Sequence, residues 1–104
     1  MTVTAKELHS RLRQNIANNI RYHRQMRGLT QAEFAERAGI GENAVYLMEN
    51  TTKHYNTPLP KLVTIAYYLN VPIEALFESR PAPPSPRGKI ALRMLNENRT
   101  TWEL

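Results

Sequence analysis

One stretch, Thr30 to Asn50 (TQAEFAERAGIGENAVYLMEN), constrains the fold of this chain more than any other. Thr30 followed three residues later by Glu33 is a capping box. The Thr hydroxyl accepts from the Glu33 N–H while the Glu33 carboxylate reaches back to the Thr30 N–H, so a helix starts at Gln31. Phe34, Ala35 and Ala38 give that helix a narrow apolar face, small enough to lie against another helix. Gly39 then supplies a left-handed residue that ends it without a Cβ penalty. Ile40, Val45 and Met48 carry the next apolar stripe, on a helix with Gly41 at its N-cap and running to about Asn50. Two short helices joined by one tight glycine turn cannot stand alone and must be held by neighbours.

The flanks offer those neighbours. Leu12, Ile16, Ile20 and the Arg24 position recur every four residues, one face of a helix that ends near Arg27-Gly28. Thr4-Ala5-Lys6-Glu7 is a second capping box, which starts this helix at Ala5 and extends its stripe through Leu8 and Leu12. Those two leucines are expected against the C-terminal segment or a second subunit; a basic arm tracking phosphate through Lys6, Arg11 and Arg13 is the competing use of this extension. Downstream, Leu62, Ile65, Ala66 and Leu69 repeat the helical pattern after Pro60, and Val71 to Phe77 (VPIEALF) predicts a last short helix with Pro72 in its first turn. The expectation is a compact all-α domain of five helices, near the lower size limit for a self-sufficient core.

Charge is distributed unevenly. Within a net +5 for the 104-residue chain, residues 1–29 hold six cations against Glu7 alone, whereas residues 30–50 hold one arginine against four glutamates. Attraction to a polyanion must therefore come from the flanks of the two-helix motif. The chain has no cysteine, which excludes disulfides and thiolate metal sites, and His9, His23 and His54 lack metal-ligand spacing. No apolar run reaches membrane-spanning length and no signal-peptide core opens the chain, so a cytoplasmic, nucleoid-associated protein is expected. An enzyme is not expected: there is no phosphate-binding glycine loop, no nucleophile placed with a base, and no carboxylate cluster suited to a metal. No cofactor is implied. Glu33 and Glu36 fall on the exposed face of a capped helix.

At this point the chain resembles the Cro/C1-type helix-turn-helix regulators of bacteria and phages. IANNIRYHRQMRGLTQAEFAERAGI is similar to the family's first two helices and turn, VYLMEN to the end of its recognition helix, and LVTIAYYLNVPIEALF to its last two helices. The resemblance covers roughly Leu12 to Phe77 and implies a lambda-repressor-like domain that offers its third helix to a DNA major groove.

The resemblance also implies site residues. Gln31, at the start of the second helix, is where the family sets an amide against a phosphate, with Thr30 beside it. On the third helix the groove-facing positions are Glu42, Asn43, Tyr46 and Leu47. Asn43 can pair bidentately with adenine and Glu42 can accept from cytosine N4, while Tyr46 and Leu47 offer apolar surface to thymine methyls. Asn50 matches a phosphate-contacting residue; where the family usually has Gly next, this chain has Thr51, which shifts the left-handed turn to Asn50. Lys53 and His54, in the loop TTKHYNTP, are expected along the DNA backbone. Arg24 and Glu49 match a structural ion pair that locks the recognition helix and leaves the arginine edge near a phosphate.

Four segments result: 1–11 as an N-terminal extension of the first helix, 12–78 as the DNA-binding domain, 79–88 as a proline-rich linker, and 89–104 as a C-terminal arm or tail with Ile90, Leu92, Met94 and Leu95 on one apolar face. The functional expectation is a sequence-specific transcriptional regulator, a repressor that binds a palindromic double-stranded DNA operator as a homodimer. The alternative is an antitoxin or controller whose 89–104 arm binds a protein partner while the helix-turn-helix represses its own promoter.

Overall fold

The computed structural model describes residues 2–52 and 55–81. Four α-helices follow in order, α1 (Ala5–Met26), α2 (Gln31–Ala38), α3 (Glu42–Glu49) and α4 (Leu59–Leu69), closed by a 3₁₀ segment, Ile73–Phe77. Among the described residues there is no strand.

Both capping boxes form. Thr4 Oγ1 accepts from the Glu7 N–H at 3.1 Å and the Thr4 N–H donates to the Glu7 carboxylate at 2.9 Å. The same exchange joins Thr30 and Glu33 at 3.0 and 2.8 Å. The backbone hydrogen bond from Thr4 holds the Glu7 carboxyl below its ordinary range. Because its cap lies at Thr4, α1 runs 22 residues, a rod of about 33 Å. Gly39 ends α2 at φ 69°, and the following Ile40 N–H returns to Ala35 O at 3.0 Å.

The core is one cluster drawn from every element: Ile16 and Ile20 of α1, Phe34 of α2, Val45 and Met48 of α3, Leu62, Ile65 and Leu69 of α4, and Leu76. Ile20, Phe34, Val45, Ile65, Leu69 and Leu76 are 0% exposed, and burying a side chain of this size contributes about 1.5–3 kcal/mol. Leu12 is 41% exposed and Leu8 54%, so the stripe of α1 continues past the core as expected.

The expected fifth helix is instead 3₁₀, with Pro72 capping it from outside. Its Ala75 N–H bonds to Pro72 O, three residues back, at 3.0 Å. Side-chain amides of α1 take the carbonyls at its end and just beyond it. Asn19 Nδ2 donates to Leu76 O and Glu78 O at 2.9 and 2.7 Å, Asn15 Nδ2 to Phe77 O at 3.3 Å, and Asn18 Nδ2 to Arg80 O at 3.0 Å. Arg80 Nε donates back to Asn19 Oδ1, and its guanidinium lies 3.8 Å over the Tyr22 ring. Contacts with α1 thus continue to Arg80, beyond the expected domain end at 78.

Candidate nucleic-acid interface

The α2–α3 corner presents its polar side outward because its apolar side is used. Val45 and Met48 turn into the core, and the opposite face of α3 leaves Glu42, Asn43 and Tyr46 exposed, with Leu47 half-buried. Glu42, Asn43 and Tyr46 line one open depression together with Gln31, the first residue of α2. Four of the residues expected to touch DNA therefore share a single surface. Three belong to the first turns of α3 and one to the first turn of α2, the end of a helix where unpaired backbone N–H groups favour an anion.

Behind this surface sits Glu49, whose side chain is fully buried. Arg24 Nε donates to Glu49 Oε2 at 2.6 Å and Arg24 Nη2 to Oε1 at 2.8 Å, a bidentate pair between α1 and α3. Gln31 Nε2 also donates to Glu49 Oε1, at 3.0 Å, tying the start of α2 to the end of α3. The remaining guanidinium arm of Arg24 donates to Leu29 O at 2.7 Å. A buried carboxylate is tolerated here because two partners supply hydrogen bonds and one of them supplies the opposite charge.

Arg24 is 4% exposed, and three of its five guanidinium N–H donors go to Glu49 and to Leu29 O. Arg21, one turn earlier on α1, also reaches Glu49: its side chain is 37% exposed, with Nε 3.7 Å from Glu49 Oε1 and Nη2 3.5 Å from Glu49 O. Its sequence signal was the three-residue spacing from Arg24, which places both on one face of α1.

Asn50 departs from the left-handed turn expected of it. Its φ is −89° and ψ 117°, extended rather than left-handed. The Asn50 side chain makes the turn instead, its Oδ1 accepting from the Thr52 N–H at 2.8 Å and the Thr52 hydroxyl at 2.6 Å. Thr30 stands at the N-cap of α2 with its hydroxyl oxygen engaged by Glu33. Lys53, His54 and the 89–104 arm lie outside the described residues. Among the described residues no group of three His, Asp or Glu is placed to hold a metal ion, and no helix is long and apolar enough to cross a membrane.

A family model described as helix-turn-helix matches residues 20–76, more than half of the chain. No curated protein and no solved structure matches it.

Proposed function

Since this chain belongs to the Cro/C1-type helix-turn-helix family of DNA-binding proteins, we propose that it is a repressor that binds a palindromic operator as a homodimer, with α3 in the major groove. The observation that carries the reading is the shared exposed surface of Gln31, Glu42, Asn43 and Tyr46, backed by an ion pair that fixes α3 against α1. Asn43 reads adenine through its amide, Glu42 accepts from a cytosine amine, and Tyr46 with Leu47 meets thymine methyls. Thr30, Gln31, Asn50, Lys53 and His54 contact phosphates. Arg24 and the more exposed Arg21 add phosphate contacts from α1. The α2–α3 motif is net acidic, so phosphate affinity depends on cations supplied by α1 and the loop after α3.

Selection of bound sequences from random duplex DNA tests the reading. The expected product is an inverted repeat whose half-sites lie about 10–10.5 base pairs, or a multiple of that, apart. Enrichment of an isolated half-site overturns the dimer, and absence of any enrichment overturns sequence-specific recognition.

A further inference from the structure

A second concavity shares no residue with the DNA-facing surface. It is a groove of about 440 Å³ walled by Leu12 and Ile16 of α1, Leu59 and Leu62 of α4 and Phe77, with Met48 of α3 also in its lining. Leu12, Leu59 and Phe77 are 41%, 63% and 37% exposed, and Leu8 extends the apolar surface by one turn of α1. Apolar surface gathered into one cleft in this way marks a place where something apolar sits.

We propose that the groove is the docking site of the chain's own segment 89–104, seated in cis through Ile90, Leu92, Met94 and Leu95. Asn18 and Asn19 hold Arg80 against α1, so Pro81 leaves from a fixed point on that helix. Leu12, Ile16 and Asn19 are spaced i, i+4 and i+7, which puts the groove and the departure point on one face of α1, about 10 Å apart along its axis. The seven residues 82–88, rich in proline, span about 22 Å when semi-extended, enough to turn back to Leu12. The first cluster of large apolar residues beyond them is Ile90 to Leu95. A tether this short gives the segment a millimolar effective concentration at the groove, which a second copy at micromolar concentration does not match.

Seating has a consequence for α3. Met48 lies beside Glu49 in sequence and turns into the core from the helix that carries Asn43 and Tyr46. A segment in the groove packs on Met48 from outside and braces α3; a protein that captured residues 89–104 would withdraw the brace.

The absence of cysteine makes a disulfide test clean. His9, on the groove rim, and Arg93, beside the apolar anchors, are replaced in His9→Cys/Arg93→Cys; Glu36→Cys/Arg93→Cys is the control pair, Glu36 being exposed on α2. In a thiol–disulfide buffer at micromolar protein, the first pair should close within one chain with an effective concentration at least about tenfold above the control, independent of dilution. Adding Leu12→Lys, a change at an exposed position, should abolish that preference while leaving the helical circular dichroism and melting transition in place. Equal closure of both pairs overturns the proposal. Cross-links between chains that disappear on dilution overturn it in favour of a second copy, and a preference that survives Leu12→Lys shows that the segment is seated elsewhere.

Discussion

At the scale of single residues, Glu49 and Asn43 divide the work of α3 between holding and reading. Glu49 accepts from Arg24 twice and from Gln31 once with no solvent contact, so Glu49→Ala strands the Arg24 guanidinium and should cost about 3–5 kcal/mol in urea-induced unfolding. A loss of under about 1 kcal/mol, the range of an exposed pair, would mean that the pair is solvated. Asn43→Ala should weaken the selected operator by about 1–3 kcal/mol and relax preference at one position per half-site, measured by competition with single-base variants. An unchanged profile moves the reading role to Glu42, Tyr46 and Leu47. Arg21→Gln should act differently, weakening all duplexes alike and lowering the slope of log K against log salt by about one; a slope identical to that of the parent removes Arg21 from the phosphate contacts. Arg24 and Glu49 were legible as partners because their positions matched those of a known arrangement. The donation from Gln31 and the contact from Arg21 were not, since how many donors one carboxylate collects is settled by the crossing of three helices and not by any local spacing.

At the scale of elements, what was legible is what side chains fix within one turn. Thr4, Thr30, Gly39 and Gly41 set the ends of α1, α2 and α3 through contacts reaching three or four residues, and these ends stand where spacing put them. Elements that depend on distant partners were read less well. Val71 to Phe77 has a helical apolar pattern yet forms a 3₁₀ segment, whose last carbonyls accept from amides some sixty residues earlier. Asn15, Asn18 and Asn19 are poor residues for the middle of a helix, and three of them within five positions was the available signal that α1 spends helix propensity on such contacts. The α2–α3 turn allows a clean separation of conformation from packing. A Cβ at Gly39 meets nothing within 4 Å, so Gly39→Ala carries only the left-handed backbone penalty, about 1–2 kcal/mol, and Gly39→Asn should be milder. Equal melting temperatures for Gly39→Ala and the parent would contradict the left-handed turn.

At the scale of the whole molecule, α1 supplies both the buried charge that fixes α3 and the amides that fix the chain beyond the 3₁₀ segment, and His23 lies on it between them. Burial, and then the neighbouring charges of Arg27 and Arg80, push its pKa down from 6.5 to about 4. The unfolded chain therefore takes up this proton near pH 6.5 and the folded chain only near pH 4. Stability from this group is complete above about pH 6.5 and is lost as pH falls through that window. Melting temperature should decline from about pH 6.5 to about pH 4, and His23→Gln should remove part of that slope; an unaltered slope assigns the decline to carboxylates alone. The asparagine row on α1 has a bearing of its own on anything joined beyond Pro81. It works as a surveyor's mark: because Arg80 is pinned to Asn18 and Asn19, the following chain starts from one coordinate relative to α3. Lengthening the linker then changes how far the following chain can reach without moving the point from which that reach is measured.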